Sequence, residues 1–268
     1  MIRLNTQNCI MSITQGVIDL ARTSEDIEYR IATSQDEREA AFRLVYQSYL
    51  EAGLGQPNRY QMRVTPYHLL PSTEVFVAVL GSETVFTVSL IGDGQLGLPM
   101  ENVYGQEVRD LRERGLRIGE VSCLADRRSK YRKCFPVFLR LCRLTAQYAW
   151  HQGLDQLLVA VHPRHARFYQ RFIDFEPIGP ERSYPSVQNR PAVALSLDLV
   201  RLHREGGKGY ETLFMPPIPE EQLASARFTL TENEYLRPMI DPSFDYAPLS
   251  GDEDFSRRRT AEMVCGVA

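Results

Sequence analysis

Glu120 is the only acid in the apolar run LRIGEVSCLA at residues 116–125. Burial of a carboxyl on such a strand pushes its pKa up toward neutrality, the range in which a general base works. Strand alternation sets Glu120, Ser122 and Leu124 on one face and Gly119, Val121 and Cys123 on the other. Ser122 is a candidate to orient a water or a substrate beside that base. The competing readings are a core ion pair or strand-edge glutamate for Glu120, and a backbone-bonded strand serine for Ser122. Tyr169, in the stretch HPRHARFYQRFIDF at 162–175, offers a phenol that can protonate a leaving group. Its alternative is aromatic packing on Phe168, Phe172 or Phe175.

Arg63 and His68 lie on a segment of weak periodicity, 55–72. A guanidinium binds a carboxylate through two parallel N–H donors, so Arg63 suits a substrate acid or an acid of the chain itself. His68 fits either a second polar contact to that substrate or a satisfied structural histidine. Arg127, Arg128, Lys130, Arg132 and Lys133 place five cations in seven residues. That run reads as a solvated loop or as a surface that steers an acidic partner. Only Tyr131 is interleaved, so a nucleic-acid groove is not expected. His162 and His165 have no third ligand at a suitable spacing, and no metal is expected.

The elements that must position these residues follow in order. A strand is predicted at 29–32. A helix begins at Thr33 or Ser34, the latter with Glu37 at the spacing of a capping box, and runs to about 50. A hairpin is predicted from 74–80 and 84–91, a charged helix at 103–114, and the acidic strand at 116–125. A helix at 135–151, an apolar strand at 157–161 and a helix at 163–173 come next, then strands at 175–179 and 192–199. This order predicts an α+β or mixed α/β domain. The crossover through 135–151 makes the strands on either side of it parallel neighbours. Residues 1–27 read as an N-terminal arm and 28–204 as the domain. The proline-punctuated 205–268 reads as an irregular extension packed on the core, with a frayed end.

Composition bounds the function. The 268 residues are 43% apolar and 24% charged, as in a chain that buries a real core. Thirty-one basic against 34 acidic residues give a net charge of −3, which leaves no global basic field for nucleic acid. No apolar run reaches the length of a membrane span, and the first residues do not read as a secretory signal. The five cysteines, Cys9, Cys123, Cys134, Cys142 and Cys265, are odd in number and form no C-x-x-C pair. They read as free thiols in a reducing cytoplasm.

The order of elements, with an acidic strand followed by a strand and an aromatic helix, resembles the GNAT acyltransferase fold. In that fold a tyrosine on the last helix is commonly followed by Gly-Phe. Here Tyr169 and Phe175 fit, with Asp174 in the place of the glycine and one residue more between them. Three blocks resemble the FeeM-type N-acyl amino acid synthases, which are related to autoinducer synthases. They are YLEAGLGQPNRYQMRVTPYHLL at 49–70, DGQLGLPMENVYGQEVRDLR at 93–112, and 119–125 together with 161–182. The resemblance spans roughly 28–200.

It implies transfer of a fatty acyl group from a thioester to the α-amine of an amino acid. It also implies Glu120 as base, Ser122 and Tyr169 as helpers, and Arg63 and His68 toward the acceptor. One departure bears on the donor. Acetyltransferases hold the CoA pyrophosphate in a glycine-rich loop after the central strand, whereas 126–133 here reads DRRSKYRK, with no glycine. The resemblance therefore implies acyl carrier protein as partner. Its 4′-phosphopantetheine arm would be the only cofactor piece inside, with none bound permanently. Phe86, Leu90, Phe135 and Phe138 suit either an acyl tunnel or the core. A homoserine-lactone-synthase-like enzyme, an acyl-CoA-dependent one and a non-catalytic binding module stay open as alternatives.

Overall fold

The structure is a computed structural model that describes residues 26–127, 135–241 and Phe244. Its elements are β1 (Ile27–Ile31), α1 (Gln35–Glu51), β2 (Thr73–Leu80), β3 (Glu83–Gly92), α2 (Glu101–Glu113), β4 (Ile118–Asp126) and α3 (Phe135–His151). After these come β5 (Gln156–Val161), α4 (Pro163–Ile173), β6 (Glu176–Pro177), β7 (Arg182–Tyr184) and β8 (Arg190–Asp198). Three short helices close the described chain: α5 (Leu199–Glu205), α6 (Lys208–Phe214) and α7 (Leu230–Leu236).

The sheet runs β1-β2-β3-β4-β5-β8-β6, with β7 also paired to β8. Every pairing is antiparallel except β4–β5, the pair joined by the α3 crossover. The chain is thus a mixed α/β protein of GNAT-like fold. One face of the sheet is covered by α3, α4 and α6, which bury Phe76, Val88, Leu157 and Leu197. The other is covered by α1, α2 and the 3₁₀ turn Pro66–Leu69, over Val75, Val77, Ile91 and Leu158. Ser34 caps α1 with a full capping box to Glu37. Asp174 ends α4 at φ +63°, a left-handed position that favours glycine and that a short polar side chain tolerates. That conformation accommodates an aspartate as well as a glycine.

Three expectations change. The strand expected at 175–179 shrinks to Glu176–Pro177 in register with β8, with Ile178 adding one N–H to the Ala194 carbonyl. The irregular extension carries α6 and α7 and is anchored. Buried Arg38 on α1 pairs with Glu232 and donates to the Ala226 carbonyl, and Gln147 on α3 bonds to the backbone of Leu213, Pro216 and Ile218.

The third change is in β4. Ser122 lies opposite Ser89 and Ala125 opposite Thr87, so Cys123 and Leu124 together face Val88. This is a β-bulge, and Cys123 carries φ +54° in it. The bulge breaks the alternation. Leu124 joins Val121 against α3, while Cys123 turns with Ala125 toward Leu44 and Val45 of α1.

Candidate active site

The site begins where two strands part. β4 and β5 pair at Ile118, Gly119 and Glu120 and no further, although both strands continue. A Cβ at Gly119 would meet the side-chain ends of Leu154 at 2.8 Å and Leu90 at 3.2 Å, so the closed end of the wedge is tightly packed. Beyond Glu120 no pairing joins β4 to β5 among the described residues, and the bulge lies within that stretch.

Glu120 sits at the mouth of the wedge and is 2% exposed. Its Oε2 accepts the backbone N–H of Met100, the residue that opens α2, at 2.8 Å. Burial pushes the Glu120 carboxyl up to about 8; the Met100 N–H pulls it down and the Glu101 charge adds to the rise. A carboxyl in that range holds or releases a proton near neutral pH. The Met100 amide is held in place by Arg112. Its guanidinium grips Asp93 at 2.6 and 2.7 Å and Glu101 at 2.7 Å, which ties the start of α2 to the preceding loop.

Tyr49, Tyr67 and Tyr184 stand around Glu120. Burial raises each phenol above its ordinary pKa, and the Glu120 charge adds to each. All three stay protonated at neutral pH and can donate. None stands out as a functional residue in the sequence: Tyr49 belongs to the apolar stripe of α1 and Tyr184 lies in a three-residue strand. Ser122 has its hydroxyl hydrogen-bonded to the Cys123 thiol.

Arg63 is 5% exposed and lies over the rings of Tyr49 and Phe244, at 4.9 and 5.2 Å. Its Nη1 donates to Asp241 at 3.0 Å and its Nη2 to the Ser186 carbonyl at 2.9 Å, while its Nε is buried without a partner. One donor on each terminal nitrogen is therefore used within the chain, and the Nε–H has no partner among the described residues. His68 is fully buried. Its Nδ1 accepts from the Thr65 N–H at 2.9 Å, so its Nε2 carries the proton and meets the Ser89 hydroxyl at 3.1 Å. Burial first, and the Arg63 charge next, push it down to about 3, so it is neutral. With both ring nitrogens engaged, His68 holds the 3₁₀ turn and has none left for a substrate.

The matching family is that of the N-acyl amino acid synthase FeeM, over residues 40–198. This chain belongs to the FeeM family. No curated protein matches it. The structure of FeeM, an N-acyl amino acid synthase from uncultured soil microbes, is 27% identical and superposes with a TM-score of 0.59, covering 70% of this chain and 97% of that one. The acyl-homoserine-lactone synthase LasI is 16% identical with a TM-score of 0.54, covering 72% of this chain and 96% of that one. BjaI, a CoA-dependent acyl-homoserine lactone synthase, is 18% identical with a TM-score of 0.54, covering 79% and 100%. The last two show a shared fold.

In this FeeM-family chain the ring of Tyr169 packs in the cluster under α3, and its phenol is within electrostatic reach of Tyr49 on α1. It packs edge-on against Phe138 and Phe175, and burial, with Cys142 and Tyr49 adding, holds its phenol well above the ordinary range. It lines a cleft whose walls are almost wholly apolar, among them Val121, Leu124 and Phe138. The cleft encloses about 30 Å³. Of the basic run, Arg127 pairs with Glu83 and donates to the Thr84 carbonyl. Arg128, Lys130, Arg132 and Lys133 lie outside the described residues. Among the described residues no helix is long and apolar enough to cross a membrane.

Proposed function

We propose that this FeeM-family N-acyltransferase moves a fatty acyl group from an acyl carrier protein thioester to the α-amine of an amino acid. The observation that carries the reading is Glu120: a buried carboxyl, held by one amide, titrating near 8 at the mouth of a strand wedge. The donor's arm would lie in the wedge, against the backbone of β4 beyond Glu120. Glu120 takes a proton from the acceptor ammonium, directly or through a water. The freed amine attacks the thioester carbonyl, and backbone N–H groups of the bulged strand meet the oxyanion. That attack forms the C–N bond; as the intermediate collapses the C=O re-forms, the C–S bond breaks, and the extra proton on the nitrogen passes to solvent. Tyr169, still protonated at neutral pH, gives the thiolate its proton.

The acceptor's carboxylate would take the unpaired Arg63 Nε. A hydrogen bond to a charged group is worth roughly 1.5–3 kcal/mol, or about 10- to 150-fold. Arg63→Ala is expected to raise the acceptor KM by that factor and to leave the donor KM unchanged. An unchanged acceptor KM in a folded variant would leave Arg63 only its Asp241 and Ser186 contacts.

The carrier-protein donor is supported by the glycine-free, five-cation segment after β4. Charge reversal at Arg128 and Lys130 should raise the KM for acyl carrier protein and flatten its salt dependence, while leaving acyl-CoA unaffected. Incubation with acyl carrier protein or acyl-CoA thioesters and mixed amino acids, read by mass spectrometry, tests the whole reading. N-acyl amino acids formed chiefly from the carrier donor are expected. Equal use of acyl-CoA would remove the carrier claim, and no amide product would remove the activity.

A further inference from the structure

The apolar cleft has one wall that the matched family core does not supply. Leu213, on α6, lines it together with the sheet residues Val121 and Leu124. The FeeM family match ends at residue 198, before α6 begins. Leu213 is 1% exposed, and its helix is fixed to α3, the helix that supplies Phe138 to the same cleft. Gln147 Nε2 donates to the Leu213 carbonyl at 3.1 Å, and Gln147 Oε1 accepts from the Ile218 N–H at 2.7 Å. Arg143 Nε donates to the Thr212 carbonyl at 3.2 Å. Behind Leu213, Phe214 stacks on Tyr210 at 5.3 Å and meets His203 edge-on at 4.2 Å.

Tyr169, which would protonate the leaving sulfur, lines the same cleft. A chain attached to the thioester carbonyl beside it would run into this space, and about 30 Å³ admits little of one as it stands. Side chains must yield for it to enter, and those of least freedom decide how far it goes. Leu213 is one of these, because its backbone is pinned on both sides.

We infer that Leu213, brought by an extension outside the family core, sets the length of the acyl chain this enzyme transfers. The inference rests on the acyltransferase reading above. One methylene of misfit in an apolar pocket is worth roughly 10-fold or more in discrimination, so a change of wall shows clearly when donors compete. The test offers the full chain an equimolar mixture of saturated acyl thioesters and reads the chain lengths of the N-acyl products by mass spectrometry. Leu213→Ala should move the preferred chain about two carbons longer, and Leu213→Phe should move it shorter. Circular dichroism checks folding, and Leu213→Val replaces the alanine variant if that one does not fold. Product of unchanged length distribution from folded variants of both sizes would overturn the inference alone. No acylated product from the unaltered chain would overturn the acyltransferase reading, and this inference with it.

Discussion

Glu120→Gln should lower kcat by about 10²–10⁴ and leave donor binding intact. Glutamine keeps the shape of the side chain and can still accept the Met100 N–H, but it cannot take a proton from the acceptor. The same substitution should raise the melting temperature at pH 8 by a few degrees. The sign follows from linkage. The folded carboxyl stays protonated up to about pH 8, while the unfolded one ionises near its ordinary 4.5. Raising the pH between those values therefore costs the folded state stability, which is full below 4.5 and lost as the pH rises through 8. Glutamine has no such loss. Falling activity with rising stability is what a strained functional carboxyl gives. Turnover within a few-fold of the unaltered chain would make Glu120 structural.

Arg38→Ala should lower stability by about 3–5 kcal/mol, because it leaves Glu232 buried without its partner. Arg38 is 1% exposed, pairs with Glu232, donates to the Ala226 carbonyl and lies 4.2 Å from the centre of the Phe228 ring. Burial alone would raise the Glu232 pKa, but the Thr229 hydrogen bonds and the Arg38 charge outweigh it and hold it below the ordinary range. The stabilisation is present at neutral pH and lost as the pH falls below about 4.5. A loss on this scale corresponds to roughly 6–20 °C in thermal melting for a chain of this size. A shift under 2 °C would mean that the pair contributes nothing net and that the extension is held by its apolar contacts.

Much of the architecture follows from local pattern. Ser34 and Glu37 mark the start of α1, Pro136 and the apolar spacing mark α3, and the α3 crossover makes β4 and β5 parallel neighbours. Glu120 stands out because an acid in an apolar strand is expensive without a use. What local pattern does not carry is the bulge at Cys123. One extra residue on β4 reverses the face of Leu124, and no residue type in VSCLA announces it. Nor does spacing show that Arg63 finds Asp241, 178 residues away, or that His68 spends both ring nitrogens on Thr65 and Ser89. The extension was partly readable: Thr229 and Glu232 have capping-box spacing, the same signal that marks α1.

The most direct measurement is the pH dependence of kcat at saturating donor and acceptor, for the unaltered chain and for Glu120→Gln. A base must be deprotonated to act, so kcat of the unaltered chain should rise tenfold per pH unit on the acidic side and level off above about 8. The acceptor amine gains free base over a similar range, and the variant separates the two. If Glu120 is the base, the glutamine variant is slow and has lost that acidic limb. A variant that keeps the same rise, with its midpoint near 8, would show that the amine alone titrates and would contradict the role given to Glu120.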